Sequence, residues 1–526
     1  MKKEHLLYIL VFLALLPVLL FRDYTPDNEL KYLSIAEESI RDGNIFAFYN
    51  HGEPYADKPP LYLWAVTLGK LIFGKHVMFF LALFSLVPAF ITVNIMNRWV
   101  RHERAAGSST SGIMLLSSAY FLACSVVLRM DMLMTMFITL AVYTFYKMYR
   151  FNNRGIGYIK SYSRWQILLP VYTFLAIFTK GAVGIMVPLM AISVFLLTSG
   201  QIRSIGKYLG WKFWAILASL CLIWFTGVFI DGGTEYLNNL LFNQTINRAV
   251  NSFHHKAPFY YYMVTYWYAI APWSIAVAAA IVIGFRRGLV RGDMMRLFAV
   301  TSLGTLVMMS FISSKIVIYI LPAFPFLIYL GGMLIEDIKK SRAINVALAI
   351  PAAIFILSEA AAVYAHINGL LPFALHCPVY IYTLVLAAGG GAAIYFIAKN
   401  NTSKAIVSLA ASMFLFVFAA GLSIGKLNDA IGLKNASEYA KGEMEALRQV
   451  TGEDSQIRFY DFRSGKNLDV YFNTEVNELT KEELGAASNM VLVVKERRFR
   501  RDTALNNALG AYPRRLFGEF AIVTIQ

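Results

Sequence analysis

A bundle of about thirteen membrane-spanning α-helices, followed by a small α/β domain outside the membrane, is the fold this sequence predicts. Three observations carry that reading. The chain is 58% hydrophobic and only 15% charged, with a mean hydropathy of +0.55 over 526 residues, whereas a soluble domain carries about 25% charge. Apolar runs recur from residue 6 to residue 424, and about 17–25 such residues cross a bilayer. After about residue 430 the apolar runs give way to short amphipathic stretches.

The first run, Leu6 to Phe21 after Lys2 and Lys3, has the outline of a signal peptide. No small-residue cleavage site follows it; Arg22-Asp23-Tyr24-Thr25-Pro26 does, so it is expected to stay as a span. Further spans are expected at 77–97, 109–128, 131–149, 165–179, 182–199, 210–230, 260–285, 295–313, 316–335, 343–365, 377–398 and 404–424. Every second loop, counted from the N-terminus, is rich in Lys and Arg, with 22 in all. The alternate short loops after the first, 23–76, carry five: Arg129, Lys180, Arg248, Lys256 and Lys315. Cationic loops stay on the cytoplasmic side, which predicts a cytoplasmic N-terminus and, with an odd number of spans, a C-terminus outside.

The same distribution argues against nucleic acid as the partner of a chain with net charge +16, because the excess sits in short clusters between spans. Cys124, Cys221 and Cys377 are too few and too scattered for a disulfide framework or a zinc site. Beyond residue 430, Ser437 to Val450 and Thr480 to Ala487 read as helices. Ile457 to Tyr460, Val470 to Phe472, Val491 to Val494 and Ala521 to Ile525 read as strands. The expected division is 1–425 in the membrane and 426–526 outside it.

Ionisable residues beside the hydrocarbon are costly and point to function. They gather in the sparse outer loops, of which 23–76 is the longest before the tail. There Thr25 can cap a helix whose first residue is Pro26 and whose end is Gly43. Leu30, Leu33 and Ile40 form one stripe, so this helix is expected to lie along the membrane surface. Asp27, Glu29, Lys31, Tyr32, Tyr55, Asp57, Lys58, Arg129, Asp131, Lys180, Arg248, His254, His255, Lys315 and Tyr319 all fall on this side. Cations can grip a phosphate through charge-assisted hydrogen bonds. A carboxylate can take a proton from an attacking hydroxyl or stabilise positive charge at a sugar carbon. Together they suit the transfer of a sugar from a lipid phosphate. Each also has a plainer role: Asp27 as a helix cap, Lys58 as an interface anchor, Arg129 and Asp131 as a mutual pair, Lys180 and Lys315 as snorkelling lysines.

At these residues the chain resembles the GT-C-fold glycosyltransferases. It is similar to the bacterial 4-amino-4-deoxy-L-arabinose lipid A transferases and the wider dolichyl-phosphate-mannose protein mannosyltransferase relatives. The matching stretches are Pro26 to Tyr32, Tyr55 to Leu61, Arg129-Met130-Asp131, Thr179-Lys180-Gly181 and Ser314 to Pro322. The resemblance implies an undecaprenyl-phosphate-linked sugar donor, inversion at the sugar carbon, and a lipid or glycan acceptor at the outer face of the bacterial inner membrane. It implies that a first-loop carboxylate is central, with Asp27 the first candidate and Glu29 the second, that Asp131 supports it, and that Lys58 meets the donor phosphate. Arg248, Lys180 and Lys315 are the other candidate phosphate ligands, and Lys31, Tyr32, Tyr55, Arg129 and Tyr319 the candidate substrate contacts. No cofactor is required. The family can bind a divalent cation, for which Asp57 with His254 or His255 is the candidate ligand set. One departure stands out: the family often reads Asp-Glu, one residue, Arg-Tyr, whereas Asp27-Asn28-Glu29-Leu30-Lys31-Tyr32 has an extra residue and Lys for Arg. The alternatives are a protein O-glycosyltransferase of the same fold and a polyprenyl-lipid transporter; a transporter calls for broken helices with midplane charges.

Overall fold

The computed structural model describes residues 3–104, 109–155, 159–241, 256–338, 341–370, 375 and 378–526. Its first span, α1 (Lys3–Phe21), ends at a 77° bend into a π turn, Pro26–Leu30, which runs on as α2 (Lys31–Asp42). Gly43 ends α2 at φ 76°, in the left-handed region that glycine enters without cost. A two-residue hairpin, β1 (Tyr49–Asn50) with β2 (Glu53–Pro54), leads to α3 (Leu61–Phe73). Then come α4 (Met78–Glu103), α5 (Ser109–Leu116), α6 (Ala119–Cys124), α7 (Asp131–Arg154), α8 (Ile159–Lys180), α9 (Val183–Thr198) and α10 (Trp211–Asn238).

Among the described residues seven helices are long and apolar enough to cross a membrane, or nine if each of two bent pairs is one span. The helices over the expected spans 131–149 and 165–179, α7 and α8, are not among these, and three further expected spans differ from the reading above. Residues 109–128 fold as two short helices, α5 and α6, parted at Ser117-Ser118. Residues 260–285 fold as Tyr261–Ala269 and Ser274–Arg286, bent by 117°. The helix at 182–199 has only 16 residues. The segment Val317–Asp337 is almost wholly enclosed by protein, while Arg342–Ile367 and Pro378–Ala398 lie at the outside. An enclosed span has no lipid to face, which is why its apolar residues need no stripe.

The first and last spans pack together. Gly421, near the end of the helix Thr402–Ser423, lies so close to Pro17 and Val18 of α1 that a Cβ there would come within 3.1 Å of both. The chain therefore leaves its last span beside the loop that follows its first one. The tail domain is built there, on the helix Lys434–Thr451 and a five-stranded sheet. The strands are β3 (Gln456–Tyr460), β4 (Asn477–Glu478), β5 (Met490–Lys495), β6 (Arg514–Phe517) and β7 (Phe520–Ile525), in the order β4-β3-β5-β7-β6. β3 runs parallel to β4 and β5, and β7 antiparallel to β5 and β6. The unbroken apolar run Met490 to Val494 fits a central strand covered on both faces.

Three local expectations are corrected. Val470 to Phe472 belongs to a short helix, Asp469–Phe472, because it packs down onto the outer loop instead of extending the sheet. Thr480 to Ala487 holds a single 3-10 turn, Leu484–Ala486. α2 is packed within protein and not laid bare at a surface: Tyr32 to Ala36, Glu38 and Ser39 are buried, with α3 on one side and the tail on another. Its stripe of Leu30 and Leu33 is core.

Candidate active site

The ends of three helices bring the polar residues together. Pro59 and Pro60 are buried and lead directly into α3, leaving Lys58 and Asp57 half-buried just before them. Arg129 and Asp131 stand at the start of α7. Lys180 is the last residue of α8, which stops because Gly181 turns left-handed at φ 85°. The Asp131 carboxylate is fully buried; it contacts the Lys180 amine and lies 3.3 Å from Nε of Arg129. Lys58 and Arg129 lie near enough for their charges to act on Lys180. The amine of Lys180 also stands 4.8 Å from the centre of the Tyr319 ring. One buried carboxylate thus sits among several cations, an arrangement that loses charge balance unless an anion joins it.

Lys31 borders this group from α2, with its amine 5.2 Å above the Tyr55 ring. Burial pushes that amine below its ordinary range; the nearby Asp57 opposes the shift, Arg463 and Arg129 add to it, and Asp27 opposes it weakly. Asp27 itself is exposed at the mouth of the site and, among the described residues, makes no ion pair or side-chain hydrogen bond.

Glu29, expected as the second candidate carboxylate, lies apart from this group, joined to Arg22, Thr25 and Leu128. It is fully buried, and its oxygens are already taken. Arg22 donates through both terminal nitrogens, at 2.6 and 2.7 Å. Thr25 donates its backbone N–H at 2.8 Å and its hydroxyl at 3.1 Å, and Leu128 donates its backbone N–H at 2.8 Å. Five donor contacts occupy its two oxygens and leave no lone pair for a substrate. Glu29 joins the end of α1, the start of the π turn and the loop before α7. The expected Thr25 cap is replaced by this contact: the hydroxyl donates to Glu29 and accepts nothing from the helix.

Tyr32 is a core residue, edge-on to Tyr62, with its hydroxyl 3.8 Å from the Met130 sulfur. Tyr55 is buried beneath Lys31. Lys315 is buried and donates to the Ala257 carbonyl at 2.9 Å, which ties it to a neighbouring loop. Arg248, His254 and His255 lie outside the described residues. Asp57 stands with Lys31 and Lys58, and among the described residues no three His, Cys, Asp or Glu side chains group as a metal site.

Sequence reasoning passed over Arg22, Asp23 and the tail residues that reach the first loop. Asp23 accepts from the backbone N–H of Lys434 and Tyr24 and from the Tyr471 hydroxyl. Burial raises its carboxyl above the usual range, and these donors oppose the rise. Ser34 donates to Asp469 at 2.6 Å, and Asn467 donates to the Pro26 carbonyl at 3.3 Å. The Arg22-Asp23 pair at the end of an apolar run was the one available signal.

Residues 57–224, which include Asp57, Lys58, Arg129, Asp131 and Lys180, match the family described as dolichyl-phosphate-mannose-protein mannosyltransferase. The undecaprenyl phosphate-alpha-4-amino-4-deoxy-L-arabinose arabinosyl transferase of Shewanella sediminis is 23% identical, over 78% of this chain and 74% of its own length. The enzyme of the same description from Erwinia tasmaniensis is 24% identical, over 78% of this chain and 69% of its own. An uncharacterised protein of Aquifex aeolicus is 26% identical, over 60% and 61%. The crystal structure of ArnT from Cupriavidus metallidurans bound to undecaprenyl phosphate superposes with a TM-score of 0.76 at 16% identity, covering 99% of this chain and 98% of that one. This agreement, running from the first span through the tail sheet, shows that the chain has the GT-C fold.

Proposed function

We propose that this protein transfers a sugar from an undecaprenyl-phosphate-linked donor to a lipid A or related glycolipid acceptor, at the outer face of the bacterial inner membrane. The N-terminus is then cytoplasmic and the tail domain periplasmic. The observation that carries the reading is the cationic group Lys58, Arg129 and Lys180 around the buried Asp131, at the ends of helices. It suits the phosphate of a lipid-linked donor, and the relatives' descriptions name such donors.

In the reaction, an acceptor oxygen forms a bond to the sugar's anomeric carbon from the face opposite the phosphate. The bond from that carbon to the phosphate oxygen breaks, and its electron pair leaves with the lipid phosphate, inverting the carbon. Lys58 binds the phosphate and stabilises the charge it gains, because a preorganised cation costs no reorganisation at that moment. Arg129 and Lys180, fixed by Asp131, keep the cationic wall in place. Asp27 is the carboxylate at the open mouth: it takes the proton of a hydroxyl acceptor. For an acceptor oxygen that is already ionised it stabilises charge at the sugar carbon instead.

Mass spectrometry of lipid A, lipid-linked glycans and envelope glycoproteins, from cells with and without the gene, tests this. A sugar found on lipid A or another glycolipid only when the gene is present supports it. A sugar found only on glycoproteins replaces it with protein O-glycosylation, and unchanged glycans with altered distribution of polyprenyl lipids replace it with transport.

A further inference from the structure

The end of α10 grips the loop that carries Lys58. Asp231 accepts from the backbone N–H of Ile45 at 2.7 Å and of Phe46 at 2.5 Å. Gly233 then breaks the helix at φ 67°, in the left-handed region. Gly232 beside it lies so close to the loop that a Cβ there would stand 2.7 Å from that of Ala47. Just past the break, Tyr236 is 3% exposed, and its ring centre stands 5.7 Å from that of Tyr49. Its hydroxyl accepts from the Phe48 N–H at 3.1 Å and donates to the Tyr55 carbonyl at 2.9 Å.

Phe48 and Tyr55 face each other across the hairpin. Tyr49 pairs with Pro54 and Asn50 with Glu53, so these two are the next pair back from the turn. Tyr55 donates its N–H to the Phe48 carbonyl at 2.8 Å, one of the two bonds of such an antiparallel pair. In place of the return bond, the Tyr236 hydroxyl bridges the Phe48 N–H and the Tyr55 carbonyl. A hairpin this short does not hold its own shape, so a side chain of α10 sets where the Tyr55 carbonyl lies. Ala56 comes next and is buried in one group with Phe178, Trp224 and Tyr236. The ring of Phe178, two residues before Lys180 on α8, is centred 5.1 Å from that of Trp64 in the first turn of α3 and 5.3 Å from that of Trp224 in α10. Between Ala56 and α3 stands Lys58, whose amine donates to the Asp57 carbonyl at 3.1 Å. Moving this backbone therefore moves the amine.

We infer that Tyr236 is a positioning residue for Lys58: its hydroxyl fixes the base of the hairpin so that the Lys58 amine stands ready for the phosphate of the lipid-linked donor. The inference rests on the sugar-transfer reading above. Without the hydroxyl, the Phe48 N–H and the Tyr55 carbonyl either stay unpaired or close directly on each other. Buried backbone groups left unpaired are costly, so closure is favoured, and it draws the segment from Ala56 to Lys58 out of place.

The test uses the full chain in nanodiscs, with polyprenyl phosphate as the binding probe and a polyprenyl-phosphate-linked sugar for turnover. Tyr236→Phe keeps the ring and removes the bridge; it should raise the Kd for polyprenyl phosphate about tenfold, the loss of one charge-assisted contact. In a Lys58→Ala background the same substitution should change the Kd by less than about twofold, because its effect runs through the amine. Asp231→Ala frees Ile45 and Phe46 but leaves the bridge, and should leave the Kd within about twofold of wild type. An unchanged Kd in Tyr236→Phe overturns the inference while transfer itself stands. A tenfold rise with and without Lys58, an equal rise in Asp231→Ala, or a Tyr236→Phe protein that does not fold overturns it in favour of a general structural role for this clasp. No transfer by the wild-type protein removes the sugar-transfer reading and this inference with it.

Discussion

Glu29→Gln separates structure from chemistry in the first outer loop. The substitution keeps size and shape and removes one negative charge. Arg22, whose side chain is 9% exposed, then faces a neutral amide. Worse, the new NH2 group is a donor placed among donors: two nitrogens of Arg22, the N–H and hydroxyl of Thr25 and the N–H of Leu128. Breaking a buried pair by removing one partner costs about 3–5 kcal/mol, because the remaining charge is buried without compensation. Neither group is exposed enough for solvent screening to reduce that figure much. The expected result is a melting temperature several degrees below wild type in detergent, measured by tryptophan fluorescence. Arg22→Met with Glu29→Gln should recover part of the loss, since no unpaired charge stays buried. Transfer per folded molecule should be retained. Glu29→Gln with wild-type melting and no transfer would refute this reasoning and return the carboxylate to the chemistry.

Asp27→Asn should melt like wild type, because the side chain is exposed and, among the described residues, caps nothing; transfer should fall by about 10²–10⁴-fold if a hydroxyl is the acceptor, with donor binding intact in a filter assay. Lys58→Ala should weaken polyprenyl-phosphate binding by about 1.5–3 kcal/mol, and Lys58→Arg by less; binding equal to wild type would make Lys58 an interface anchor. Topology is checked in a background free of native cysteines. Glu53→Cys and Glu482→Cys, both at exposed positions, should react with an impermeant maleimide in spheroplasts, and Asn152→Cys should not; the opposite pattern would invert the membrane orientation.

Lys58, Arg129, Asp131 and Lys180 were legible in the sequence for one physical reason. Each abuts an apolar run on the side where loops are poor in charge, and a charge kept beside hydrocarbon needs a use. The contact of Arg129 with Asp131, two residues apart, could be read from the sequence; that of Asp131 with Lys180 could not, since residues 131 and 180 meet only once α7 and α8 pack. The clasp between Asp23 and Tyr471 joins positions more than four hundred residues apart, set by the contact of the first and last spans. The strand expected at Val470 to Phe472 shows β-propensity giving way to packing, as it often does outside a sheet's interior. The bend between Ala269 and Ser274 lies inside a continuous apolar, aromatic run, so hydropathy alone reads it as one helix.

The π turn explains the extra residue in the first loop and yields the last prediction. Leu30 donates its N–H to the Thr25 carbonyl, five residues back, at 3.0 Å. A single π turn is how a helix absorbs one inserted residue. Thr25 and Glu29 already share half of a capping box, Glu29 accepting from the Thr25 N–H, but they are four residues apart where a box needs three. Deleting Asn28 would place them three apart and close the turn in α geometry. Glu29, Leu30, Lys31 and Tyr32 would keep their places, and Asp27 would move up to precede Glu29 directly. The restored cap is worth about 1 kcal/mol, so the shortened protein should melt at or above the wild-type temperature. It should also keep transfer activity, because Asp27 stays at the mouth of the site beside Lys31. A shortened protein that folds but transfers nothing would mean that the π turn itself aims Asp27. One that fails to insert would mean that Glu29 cannot keep Arg22 and Leu128 without the extra residue.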